Sequence, residues 1–91
     1  MKQRLSLKVF GEVQGINLRS MVKVQAMVLS LTGCVTNQND GTVEIEAEGE
    51  KEVLEKFMTW LNSRPGHAQI DRMTENWSEA TGEYSDFVIK D

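Results

Sequence analysis

Two residues of this 91-residue chain have the type and setting to handle an anion and a water molecule: Arg19 and Asn37. Arg19 closes the stretch Gly11-Glu-Val-Gln-Gly-Ile-Asn-Leu-Arg19, a loop with two glycines that leads into the apolar spacing of a helix. A helix start gathers unpaired N–H groups and a partial positive charge, so it favours anions. A cation placed there is disfavoured by about 0.3–1 kcal/mol. An anion held between the loop amides and the guanidinium removes that cost. No Lys-Ser or Lys-Thr pair follows the second glycine, and the loop is not Gly-x-Gly-x-x-Gly, so nucleotide fingerprints are absent. What remains is a nest sized for one phosphate-like anion. Plain turn chemistry is the alternative for its glycines.

Asn37 can both donate and accept a hydrogen bond, which suits it to orienting a water. Its alternative is a turn role, but Asn39-Asp40-Gly41 already supplies hairpin chemistry directly after it. Other reactive residue types offer less. His67 is the sole histidine; it has no acid partner in its local pattern and reads as a loop residue. Glu44, Glu46 and Glu48 alternate along one strand and read as a solvated face rather than a metal cluster. Glu12 reads as solvated too. Cys34 is the only cysteine, which excludes an internal disulfide and a cysteine-built zinc site. The sequence therefore predicts no metal and no cofactor.

These residues need elements to position them. Leu5, Leu7 and Val9 alternate with Ser6 and Lys8, a half-buried strand. Beyond the loop, Leu18, Val22, Ala26 and Leu29 line one helical face, helped by Met21 and Val28. Thr32-Gly33 is expected to end that helix, with the glycine as its cap. Cys34 to Asn37 reads as a second strand, Gln38 to Gly41 as a hairpin turn, and Thr42 to Glu48 as a third strand with Val43, Ile45 and Ala47 inward. Gly49 is expected to break it. Glu50 to Asn62 is the clearest helix, with Val53, Leu54, Phe57, Trp60 and Leu61 as its buried stripe, stopped by Pro65-Gly66. Ala68 to Trp77 reads as a further strand, Ser78 to Glu83 as a turn, and Tyr84 to Lys90 as a last strand with Phe87 and Ile89 inward.

The order strand, helix, strand, hairpin strand, helix, strand is the split βαβ, ferredoxin-like order (βαββαβ), an α+β sandwich with an antiparallel-rich mixed sheet and two helices on one face. A crossover through the first helix makes the first two strands parallel, with the third between them. The loop and Asn37 then lie at the same sheet edge, two strand spacings or about 10 Å apart. A phosphate in the loop plus one water fills much of that gap.

The residues also carry a family resemblance. Val9 to Arg19 (Val-Phe-Gly-Glu-Val-Gln-Gly-Ile-Asn-Leu-Arg) resembles the signature loop of acylphosphatases. Leu31-Thr-Gly-Cys-Val-Thr-Asn37 and Asp40-Gly-Thr-Val-Glu44 resemble that family's second signature, and Trp60-Leu61, Pro65 and Tyr84-Ser-Asp-Phe87 fit its later part. The likeness covers essentially the whole chain. It implies metal-free hydrolysis of acyl phosphates to a carboxylate and inorganic phosphate. It also implies roles: the amides of Val13, Gln14, Gly15, Ile16, Asn17, Leu18 and Arg19 bind the phosphoryl group, Arg19 clamps it, and Asn37 positions the water. Four places depart from the usual pattern. Leu18 replaces a phenylalanine, Cys34 an aromatic residue and Thr36 a basic residue, and Ile16-Asn17 is an atypical pair.

Bulk properties narrow the alternatives. The length fits one domain, 1–91. The net charge of −4 argues against nucleic acid or an anionic membrane as partner, while a local nest can still draw a small anion. No stretch has signal-peptide or transmembrane length. The expectation is a cytoplasmic monomer acting on a small acyl phosphate. The nearest alternative is a catalytically weak domain of the same fold that binds a phosphorylated metabolite. A ferredoxin-like RNA-binding module fits poorly, because the first strand lacks a stacking aromatic pair and the third carries three glutamates.

Overall fold

The computed structural model describes residues 1–14 and 17–90, with His67 described by its backbone alone. The elements are β1 (Lys2–Glu12), α1 (Leu18–Val28), β2 (Thr32–Asn37), β3 (Val43–Glu50), α2 (Lys51–Asn62), a 3-10 turn (Pro65–His67), β4 (Gln69–Glu79) and β5 (Phe87–Lys90). Their five strands form one sheet in the order β4-β1-β3-β2-β5. β3 lies antiparallel between β1 and β2, as the crossover argument requires, with Leu7 and Val35 both opposite Ile45. β4 adds antiparallel to β1, and β5 adds parallel to β2.

Alternation decides which face is covered. Leu5, Leu7 and Val9 of β1, Val35 of β2, and Val43, Ile45 and Ala47 of β3 are buried on one face. Both helices lie on that face: α1 packs on β2 and β5, α2 on β3 and β1. Leu18, Val22 and Ala26 of α1 and Leu54, Phe57 and Leu61 of α2 complete the core. Each fully buried large side chain contributes about 1.5–3 kcal/mol of apolar transfer. Trp60 is only half-buried and stacks on Phe57, with ring centroids 5.9 Å apart.

Several expectations at element ends are corrected. α1 stops at Val28, and Ser30, at φ 58°, supplies the left-handed turn expected of Gly33. Gly33 lies within β2, where a Cβ would stand 1.8 Å from the Glu46 carbonyl oxygen; close strand approach, not helix capping, is why it is glycine. Gly49 does not break β3 but pairs with Gln3 inside it. Val28 is 69% exposed rather than part of the buried face. β4 runs on to Glu79, and the last strand begins at Phe87 rather than Tyr84. The segment between them is held by side-chain bonds from β3. Here the wet-face reading of the glutamates fails for Glu48, which is 4% exposed.

Near the start of the loop, Gly11 sits at a register shift between β1 and β4, at φ 133°. A Cβ there would lie 2.0 Å from the Gln69 carbonyl oxygen. This tight crossing sets the direction in which the chain leaves β1.

Candidate active site

The loop after β1 and the hairpin after β2 meet at one edge of the sheet. Between them is a cleft of about 380 Å³ lined by Val13, Gln14, Asn17, Leu18, Arg19, Ser20, Asn37 and Ile89. The structure thus brings together Arg19, Asn37 and four more residues named from the sequence: Val13, Gln14, Asn17 and Leu18. Gly15 and Ile16 lie outside the described residues. Val13 and Leu18 have buried side chains, so what they can offer a ligand is backbone.

The start of α1 is chemically open. Asn17 precedes its first turn in the left-handed region, at φ 64°. Among the described residues no side chain caps this end, and no acidic residue lies in the first turn. The first intrahelical bond runs from the Met21 N–H to the Asn17 carbonyl at 3.1 Å. The N–H groups of Leu18, Arg19 and Ser20 precede it, where no intrahelical acceptor exists. With Arg19 in the same turn, the end is electropositive.

Asn37 is the last residue of β2, opposite Val43. Its side-chain oxygen, Oδ1, is buried and has no hydrogen-bond partner among the described residues. Such an acceptor is uncommon in a folded protein, because leaving it unmade costs about 1–3 kcal/mol.

The hairpin behind Asn37 is firmly built. The Gln38 N–H donates to the Thr42 carbonyl at 2.8 Å, and the Gly41 N–H to the Gln38 carbonyl at 3.1 Å. Asp40 Oδ1 accepts from the Thr42 N–H at 3.0 Å and the Thr42 hydroxyl at 2.6 Å. The hydroxyl bond, followed by the N–H bond, holds the Asp40 carboxyl down at about 2. Lys8 Nζ lies 3.3 Å from the other Asp40 oxygen.

Gln14 ties the loop to this hairpin. Its amide nitrogen donates to the carbonyls of Gln38 and Thr42, each at 2.9 Å. The sequence reading gave Gln14 a backbone role only and passed over Ser20 and Ile89. Ser20 adjoins Arg19 in the first helical turn, so its place in the cleft was foreseeable. Ile89 reaches it only because β5 adds beside β2, which no local pattern shows. His67 falls in the 3-10 turn, and its side chain lies outside the described part of the structure. Among the described residues no group of three or more His, Cys, Asp or Glu side chains is placed to hold a metal ion, and no helix is long and apolar enough to cross a membrane.

Known proteins resemble this chain in sequence and in fold. The sequence model of the acylphosphatase family matches residues 5–89. An acylphosphatase of Pelotomaculum thermopropionicum is 39% identical over 88 residues, covering 97% of this chain and 96% of that protein. One from Dehalococcoides mccartyi is 41% identical over 87 residues, covering 94% and 96%. The crystal structure of acylphosphatase from Bacillus subtilis superposes with a TM-score of 0.90 at 29% identity, covering 97% of this chain and 98% of that one.

Proposed function

The chain belongs to the acylphosphatase family, and from that premise we propose how its cleft hydrolyses acyl phosphates. The backbone amides of Val13, Gln14, Gly15, Ile16, Asn17, Leu18 and Arg19 receive the phosphoryl oxygens at the open start of α1. The Arg19 guanidinium clamps two of them through its planar fork. Asn37 Oδ1 accepts a hydrogen bond from a water and turns its lone pair toward phosphorus. Attack by that water forms a new P–O bond as the bond to the carboxyl oxygen breaks. The substrate's carboxylate leaves, and a phosphoryl oxygen takes the water's proton, giving a carboxylate and dihydrogen phosphate.

This division of labour suits the reaction. Phosphoryl transfer depends mostly on alignment and on stabilising charge, and a carboxylate is a good leaving group that needs no strong acid. The observation that carries the reading is the buried Oδ1 of Asn37, without a hydrogen-bond partner among the described residues, on a residue that lines the same cleft as Arg19. One domain, 1–91, acting as a cytoplasmic monomer belongs to the same proposal; the family model's match to residues 5–89 supports the single domain.

The test measures turnover of benzoyl phosphate and the melting shift produced by inorganic phosphate. Arg19→Ala is expected to lose both. Asn37→Ala is expected to lose about a hundredfold or more in turnover, the scale of one aligned group, while keeping the phosphate shift. Turnover of Asn37→Ala near the parent rate would make Asn37 a turn residue and sink the mechanism.

A further inference from the structure

The side chain of Gln14 does something that a loop amide cannot. A primary amide has two N–H bonds, and here both reach carbonyls of the β2–β3 hairpin, Gln38 and Thr42, at 2.9 Å each. Those two carbonyls flank the neck of the hairpin directly after Asn37. The β1–β3 ladder has already ended at Val9 and Val43, so no strand pairing fixes the loop to the hairpin at this level. Gln14 spans the place where the ladder stops.

The hairpin does not depend on these bonds for its own shape. The Thr42 carbonyl also accepts from the Gln38 N–H, and the Gln38 carbonyl from the Gly41 N–H. Without Gln14 both carbonyls keep a donor, so removing its amide strands no buried acceptor. The bonds set one part of the cleft against the other: the loop that leads to Arg19 on one side, and the strand end that carries Asn37 on the other. We propose that Gln14 is a positioning residue for the reaction, holding the phosphate-binding loop in register with the water-orienting amide of Asn37. This rests on the roles given above to Arg19 and Asn37. Displacement of about 1 Å between reacting groups can cost up to a hundredfold in rate, and two short bonds from one planar amide restrain that displacement.

Gln14→Met tests this, because it keeps the length of the side chain and removes both donors. The variant is expected to unfold cooperatively near the parent temperature. Its kcat on benzoyl phosphate should fall at least about tenfold, while KM and the dissociation constant of inorganic phosphate stay within about twofold. The deciding measurement is the same change made in Asn37→Ala. If Gln14 acts through Asn37, Gln14→Met costs less than about twofold in that background, since linked residues are not additive. An equal loss in both backgrounds overturns the inference. So does a rise in KM matched by loss of the phosphate shift, which would put Gln14 on the phosphate itself. Asn37→Ala turning over at the parent rate removes the parent mechanism first, and the positioning role with it.

Discussion

At one end of β3 the carboxylate of Glu48 is enclosed by donors; at the other end, across from Val43, the amide oxygen of Asn37 is enclosed and has none among the described residues. Glu48 Oε2 accepts from Arg4 Nε at 2.8 Å and from the N–H and hydroxyl of Thr81 at 2.9 Å each, and Oε1 accepts from the Gly82 N–H at 2.9 Å. Arg4 also pairs with Glu83. A buried charge with full hydrogen bonding stabilises one conformation, because each bond is lost if the segment leaves. A buried acceptor without a bond does the reverse and costs stability where it stands. The same sheet thus satisfies its polar groups at one end and, at the other, leaves an acceptor with no partner among the described residues, where the proposed water-orienting role lies. Rule-breaking polar groups mark function; rule-keeping ones mark structure.

If that contrast is right, changes at the two ends separate. Glu48→Ala leaves Arg4 half-buried with only part of its pairing and frees Thr81 and Gly82. A loss of about 3 kcal/mol is expected, a melting decrease of roughly 12–24 °C in a domain of this size, with kcat of the folded protein within about twofold. A kcat loss larger than the melting loss explains would erase the distinction between the ends.

Acid should act on the same end. Burial alone would push the Glu48 carboxyl up, but the N–H groups of Thr81 and Gly82, the Thr81 hydroxyl and Arg4 outweigh it and hold it down at about 2, from an ordinary 4.5. A group depressed in the folded state stabilises fully above its unfolded value and loses that stabilisation as pH falls through its folded value. Stability is therefore expected to be level above pH 5 and to fall between about 4.5 and 2, by up to about 3 kcal/mol from this group. Asp40, held low by Thr42, titrates in the same window, so the comparison is made between the parent and Glu48→Gln. Parallel acid profiles for the two would show that Glu48 does not carry the effect.

The smallest effect belongs to the open end. Inorganic phosphate at about ten times its dissociation constant adds roughly 1.4 kcal/mol, or roughly 5–10 °C in melting temperature, measured against sodium chloride of matched ionic strength. Parent and Glu48→Gln should gain equally, whereas Arg19→Lys should gain little, since an ammonium lacks the fork. A full gain in Arg19→Lys would mean that point charge alone holds the anion.

What the sequence discloses follows the distance between partners. The alternation of Leu5, Leu7 and Val9 and the stripe Leu54, Phe57, Leu61 are local, so their faces were readable. The relation of Arg19 to Asn37 was readable because strand order and one crossover fix it. Glu48 shares its pattern with Glu44 and Glu46, and what distinguishes it is distant donors: Thr81 and Gly82, 33 and 34 positions away, and Arg4, 44 positions away. Gln14 was hidden for the same reason, with partners 24 and 28 positions off. Ser30 took the left-handed turn from Gly33 because the sheet needed the glycine more, a demand set by Glu46 across the strand.

The strand order has a consequence in time. β1 lies inside the sheet, with β3 on one side and β4 on the other, and Leu5 faces Ala47 on one and Trp77 on the other. During synthesis the first partner follows within about forty residues. The second must wait until residues beyond 69 have been made, several seconds later at about 5–20 residues per second. Through that interval the strand that leads into the cleft loop presents a bare backbone edge, open to pairing with any other extended chain. On the ribosome, a strand that ends inside the finished sheet is for a time an unguarded edge.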